Sequence, residues 1–247
     1  SGIDSSEYLK LMLEDRSSGV DIPAAIILET IQGEGGVNVA SDTWLKQVAD
    51  IANNYGIMLI VDDIQAGCGR SGNFFSFEES GITPDLVVLS KSISGSGLPM
   101  SLLLIKPEHD IWQPAQHNGT FRGNTLAFVS ARAAIGAFWE NMDFSNEIKQ
   151  KGECIRSSLR EISASNKKLG LKVRGKGMFN GLVFESGLLA NQARKLAFEK
   201  GMIIELCGAD DEVLKVMPPL TINDKDLSTG MVIISDIVNE LANGHST

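Results

Sequence analysis

Cysteine is scarce in this chain, and its spacing excludes more than its number. The three cysteines, Cys68, Cys154 and Cys207, are odd in count and far apart, which argues against both a disulfide framework and a zinc site. Histidine is as rare, with only His109, His117 and His245, so no histidine-rich metal centre is expected and no metal is assigned. Basic runs are missing as well. A net charge of −9 disfavours nucleic acid and anionic membrane surfaces, both of which demand a basic face. No apolar stretch approaches the roughly 20 residues needed to cross a bilayer, and the opening SGIDSSEYLK has neither the basic nor the apolar region of a secretory signal. These absences lead to the expectation of a soluble protein in a reducing cytoplasm. There is no internal repeat and no low-complexity segment.

What is present is material for a core: 43% of the 247 residues are hydrophobic and 21% charged, as in a globular chain of one or two domains. Residues 4–16 carry Tyr8, Leu9, Met12 and Leu13 at helical spacing, ended by Ser17, Ser18 and Gly19. Residues 24–30, AAIILET, read as a buried strand. After the glycine-rich QGEGG, Ser41 caps a helix with Trp44, Leu45, Val48, Ile51, Ala52 and Tyr55 on one face and Gly56 as its stop. The run IMLIV at 57–61 is continuous rather than alternating, the mark of a strand covered on both faces. Two further strands are predicted at 86–89 (LVVL) and 101–105 (SLLLI). Strands alternating with helices in this way predict an α/β fold with a mostly parallel sheet.

Downstream, Leu126, Val129, Ala133, Ile135 and Phe138 predict a packed helix within 123–142, and a more polar helix follows over 144–164. LKVRGKGMFNGLVFES reads as two short strands around Gly175–Gly177. A helix near 189–200, strands near 202–206 and 213–217, and a final helix over about 224–242 complete an α+β unit. The expected domains are 1–142 as part of a large domain, 143–168 as a linking helix and 169–247 as a small C-terminal domain.

Three predicted strands end in charge: Glu29, Asp62 with Asp63, and Lys91. In a parallel sheet such ends share one rim, where ligands of open α/β sheets sit. Taken alone, Lys91 reads equally as a solvated lysine just past a strand, and an acid near a lysine as a structural ion pair. The glycines of GEGG, AGCGRSG and SISGSG follow the same rim and would let a ligand approach the backbone closely. A lysine and an aspartate are also what pyridoxal phosphate requires of a protein: an amine for its aldehyde and a carboxylate for its pyridine nitrogen.

IVDDIQAGCGRSG (60–72), PDLVVLSKSISGSGLPMS (84–101) and HNGTFRGN (117–124), with ETIQGEGG (29–36) and PPLTI (218–222), resemble the class-III, or ω-amino acid, aminotransferases of the fold-type I pyridoxal phosphate enzymes. The resemblance implies that Lys91 binds the cofactor and shuttles the proton, Asp62 holds the pyridine nitrogen, and Gln65 bonds the ring hydroxyl. It implies that Thr120, by itself readable as a helix-capping threonine, reaches the neighbour's cofactor phosphate across a homodimer. Glu34 would cover a cation for one substrate and swing off for the other. That cation is Lys215, where relatives most often have arginine, so carboxylate recognition is expected to be less directional.

Within the family, SSGVDIPAAIILETIQGEGGVNVAS, LSKSISGSGLPMSLLLIKPEHDIW and LKVMPPLTI resemble the branch that transfers an amino group from glutamate to aspartate β-semialdehyde. That reaction gives 2,4-diaminobutyrate and 2-oxoglutarate. Asp63, where relatives usually carry Glu, separates it from the ornithine, acetylornithine and γ-aminobutyrate types, which remain alternatives, as do a non-catalytic dimerising fragment and a metabolite-binding protein without chemistry. Family members carry a longer amino-terminal part with the phosphate-cradling loop. The expectation is therefore of an enzyme portion, inactive alone, with two unpaired sheet edges.

Overall fold

A computed structural model describes residues 4–244. In chain order the elements are α1 (Ser5–Glu14), β1 (Ala25–Leu28), β2 (Ile31–Gln32), β3 (Asn38–Val39), α2 (Asp42–Tyr55), β4 (Met58–Asp62), β5 (Leu86–Leu89), β6 (Leu102–Ile105), α3 (Thr125–Phe138), α4 (Asp143–Ser165), β7 (Lys172–Lys176), β8 (Phe179–Val183), α5 (Gly187–Glu199), β9 (Glu205–Cys207), β10 (Val213–Val216) and α6 (Asp224–Gly244). They fall into two compact units, and the chain passes between these more than once.

The first unit comprises the chain up to Thr30, Ala40–Cys68 and Phe75–Ala137. Its sheet has the order β1-β4-β5-β6. β1, β4 and β5 run parallel, and β6 returns antiparallel. The cap of α2 is the one its sequence dictates: Ser41 Oγ accepts from Trp44 N at 3.2 Å, and Gly56 takes the left-handed conformation at φ 65°. Val48 and Ala52 of α2 pack with Ile57 and Leu59 and with Ile26 and Leu28 of β1, so α2 covers one face of the sheet.

Two expectations need correction here. β1 is not a buried strand: Ile26 and Leu28 face the core, but Ile27 between them is 64% exposed, because β1 is an outer strand and alternation turns it to the other side. Nor is α3 packed through its large apolar residues. Leu126 and Val129 are 70% and 63% exposed, whereas the small Ala127 and Ala131 are buried. Small side chains let α3 sit close to the loop after β5, where Ser130 Oγ donates to the Ser94 carbonyl at 2.6 Å. Leu102, Leu103 and Leu104 of β6 are exposed too.

The second unit comprises Ile31–Val39, Gly69–Phe74 and the chain from Phe138 onward. Its sheet has the order β7-β8-β10-β9, with every pairing antiparallel. Every residue of β8 is buried. The expected linking helix is α4, whose Ile148, Ile155, Leu159 and Ile162 form one stripe in this unit's core together with Ala190 and Ala193 of α5 and Ile234 and Ile237 of α6. The QGEGG stretch, expected as a loop, is the turn of a small hairpin, β2 with β3. Arg174 of β7 holds that hairpin, donating to Gly36 O at 3.0 Å and to Asn38 Oδ1 at 2.7 Å.

Candidate active site

In the first unit the functional candidates gather at the carboxyl ends of two neighbouring parallel strands. Asp62, the last residue of β4, is in register with Val88 of β5, and the next amide, Asp63 N, donates to Val88 O at 2.9 Å. Lys91 follows three residues after Val88, opening a short 3₁₀ turn, Lys91–Ser94. Its side chain is exposed, and its backbone is left-handed at φ 50°, a conformation that a non-glycine residue holds only when its surroundings impose it. Several hydrogen bonds impose it here. Ser90 Oγ donates to Met100 O at 2.8 Å, and Ser130 of α3 holds Ser94 O and accepts from Ser96 Oγ at 3.0 Å. Gly95 turns the chain at φ 71°, where a Cβ would run into the Cβ of Ala134.

Asp62 is half-buried and accepts from Ile64 N at 3.1 Å through Oδ1. A carboxylate with its second oxygen beyond that bond can take a further donor. Gln65 is half-buried in the turn that follows β4. Asp63 points the other way and is fully buried. Ser76 N donates to its Oδ2 at 3.1 Å, Ser76 Oγ to its Oδ1, and Thr30 bonds Ser76 Oγ in turn. Burial pushes the Asp63 carboxyl up to about 6, against the opposing pull of the two Ser76 hydrogen bonds. Sequence reasoning placed Asp63 beside Asp62 but missed this cluster, since Ser76 and Thr30 reach it from other segments.

Thr120 lies in the same unit, exposed in the segment leading to α3. It does not cap the helix; Asn124 does, its Oδ1 accepting from Leu126 N at 3.1 Å. Glu29, just beyond β1, is exposed. The donor set at this rim suits pyridoxal phosphate: a reachable primary amine and a carboxylate on the adjacent strand.

The second unit brings Glu34 and Lys215 together. Lys215 of β10 is a lysine in the interior of a sheet, with its side chain 6% exposed. Its Nζ meets Glu34 Oε1 at 2.8 Å and Glu205 Oε2 at 3.3 Å. Burial alone would lower the ammonium, but the hydrogen bonds it donates to Glu34 and Glu205 outweigh it and hold it above its ordinary value. Glu34 is placed by the hairpin turn, its carbonyl accepting from Gly208 N at 2.9 Å. Glu205 was not singled out from sequence, because only the register of β9 on β10 puts it opposite Lys215.

Comparison with known proteins follows the same lines. The model of a family described as aminotransferase class-III matches residues 5–238. An uncharacterized aminotransferase of Sinorhizobium fredii is 55% identical over 94% of this chain and 52% of its own length. A diaminobutyrate–2-oxoglutarate transaminase of Vibrio cholerae is 52% identical over 97% of this chain and 58% of its own. Among solved structures, Plasmodium falciparum ornithine delta-aminotransferase superposes with a TM-score of 0.85 at 27% identity, over 99% of this chain and 62% of that one. Acetylornithine aminotransferase from Elizabethkingia anophelis does so at 0.84 and 27%, over 96% and 58%. The chain spans about half the length of the curated relatives it matches.

Proposed function

Because this chain belongs to the class-III aminotransferase family, we propose that it is the lysine-bearing part of a pyridoxal phosphate-dependent aminotransferase that passes the amino group of glutamate to aspartate β-semialdehyde. The products are 2,4-diaminobutyrate and 2-oxoglutarate. The observation that carries this reading is the placement of Lys91 and Asp62 at the ends of adjacent parallel strands. The choice of substrate is supported by relatives named diaminobutyrate–2-oxoglutarate transaminase.

Pyridoxal phosphate, when bound, supplies an aldehyde and an electron-withdrawing ring. Lys91 would hold the cofactor, and its amine would carry the proton to and from the substrate carbon that bears nitrogen. Asp62 would hold the ring nitrogen through its carboxylate oxygen not used by Ile64. Gln65 orients the ring through its hydroxyl. Lys215 receives the α-carboxylate of glutamate, and Glu34 covers Lys215 when the terminal amine of diaminobutyrate is in place. Thr120 serves the cofactor phosphate of a second copy. Cytoplasmic homodimers fit this reading, and the exposed apolar residues of α3 and β6 support burial against further protein.

The test is spectroscopic and kinetic. Full-length enzyme carrying this chain is expected to develop the visible absorbance of lysine-bound cofactor, and its Lys91→Ala variant to lose it. With 2-oxoglutarate as acceptor, 2,4-diaminobutyrate is expected to exceed ornithine, acetylornithine and γ-aminobutyrate by about tenfold or more in kcat/KM. Absence of a covalent link at Lys91, or preference for another donor, overturns the reading.

A further inference from the structure

We propose that Glu205 is the fixed counter-ion of Lys215 and Glu34 the movable one, so that the ammonium keeps its place when a substrate carboxylate takes the position of Glu34. The proposal rests on the aminotransferase reading above and assigns a positioning role to a residue that reading does not use.

The two acids reach Lys215 by different routes. Glu205 is its register partner: β9 pairs with β10, and Lys215 stands directly opposite Glu205. Directly opposed residues of an antiparallel pair present their side chains on the same face, about 5 Å apart at Cβ. The ladder therefore tethers the Glu205 carboxylate near Nζ whatever else occupies the site. On the other flank Lys215 faces Gly181 of β8, which offers no side chain at all. Glu34 instead arrives from the Gly33–Gly36 turn of the small hairpin and meets Lys215 through one charge-assisted hydrogen bond, at 2.8 Å. Both carboxylates are about three-quarters exposed, at 74% and 76%, while the lysine is nearly sealed. The acids can exchange with solvent or ligand, and the cation cannot.

A lysine makes the second acid necessary. A guanidinium fixes its own geometry through a rigid fork, whereas an ammonium is a point charge on a flexible stem, positioned by its partners. If Glu34 were the sole partner, its departure would leave a buried cation uncompensated or draw the side chain after it. With Glu205 in place, one carboxylate remains throughout, and exchanging Glu34 for the carboxylate of glutamate or 2-oxoglutarate leaves the charge around Lys215 unchanged.

The experiment uses the full-length, cofactor-loaded enzyme and three variants: Glu205→Gln, Glu34→Gln and the double change. The two half-reactions are followed separately with glutamate and with 2,4-diaminobutyrate, and binding of glutarate, an unreactive dicarboxylate, is measured by calorimetry. Glu205→Gln is expected to lower kcat/KM for glutamate about tenfold, chiefly through KM, and to weaken glutarate by a similar factor, as loss of a charged partner implies. The diaminobutyrate half-reaction is expected to change by less than about threefold. Glu34→Gln is expected to do the reverse, sparing glutamate and slowing diaminobutyrate. Equal losses in both half-reactions of Glu205→Gln, or glutarate binding that is unchanged or tighter, overturn the fixed counter-ion. If Glu34→Gln moves neither half-reaction, the gate fails and the division of labour with it. Wild-type protein without transamination counts against the aminotransferase reading itself, while the glutarate comparison still judges Glu205.

Discussion

Ser76 holds both carboxylate oxygens of Asp63, its amide on one at 3.1 Å and its hydroxyl on the other. Because that hydroxyl donates to Asp63, Thr30 is the donor in its own bond to Ser76 Oγ. The cluster links the end of β1, the end of β4 and the Phe75–Phe77 segment within one unit.

Asp63 gives the first prediction. Its carboxyl is raised from 3.8 to about 6 in the folded chain, so between those values the folded state binds more protons than the unfolded one. Its contribution to stability is therefore present at low pH and is lost as pH rises through 4 to 6. Asp63→Asn, which stays neutral and can accept one Ser76 donor while its amide N–H turns to Ser76 Oγ in place of the other bond, is expected to remove that dependence and to be more stable above pH 6, by up to roughly 3 kcal/mol. Asp63→Ala, which strands the Ser76 amide, is expected to cost about 1–3 kcal/mol. Urea unfolding of wild type and both variants between pH 4 and 8 checks the difference.

The left-handed backbone of Lys91 yields the second. At φ 50° an L-residue is disfavoured by about 1–2 kcal/mol, and glycine is not. Lys91→Gly is expected to be at least as stable as wild type, gaining up to about 1 kcal/mol, while losing covalent cofactor attachment. Denaturation midpoints that fall in Lys91→Gly would show that the side chain stabilises the turn instead.

Third, the turn is braced by α3. Gly95→Ala puts a methyl group onto Ala134 in a left-handed conformation, and a loss of about 2 kcal/mol or more is expected from the clash and the backbone together. Ser130→Ala removes the bonds to Ser94, Ser96 and the Ala127 carbonyl and is expected to cost about 1 kcal/mol. Rates of cofactor attachment, measured beside stability, are expected to fall further in Gly95→Ala, because the displaced segment carries Lys91.

The fourth concerns Lys215. Lys215→Ala deletes the cation and leaves Glu34 and Glu205 without it. The glutamate half-reaction is expected to fall by about a hundredfold, as for a lost charged contact, and the diaminobutyrate half-reaction by much less. Single-turnover absorbance with each donor reads the ratio, and equal losses would reject the gate.

The chain's regular elements were legible from local pattern alone. Ser41 and Gly56 bound α2, the apolar stripe of α4 is continuous from Ile148 to Ile162, and charge ends β4 at Asp62 and follows β1 and β5 at Glu29 and Lys91. Each of these depends on neighbours a few residues away, and propensity, capping and periodicity act over that range.

What sequence could not supply was pairing. The apolar face of α3 reads as core by spacing, yet the helix meets the rest of its unit through Ala127 and Ala131, since close approach to the turn after Lys91 admits only small side chains. Ile27 is exposed because β1 lies at the outer end of the sheet order, a property of topology rather than of residue type. Charge at the strand ends, and hence the rim with Asp62 and Lys91, was written in the chain. The partners of those charges were set by strand register, which joins Glu205 to Lys215 and Val88 to Asp62 across segments that share no local signal.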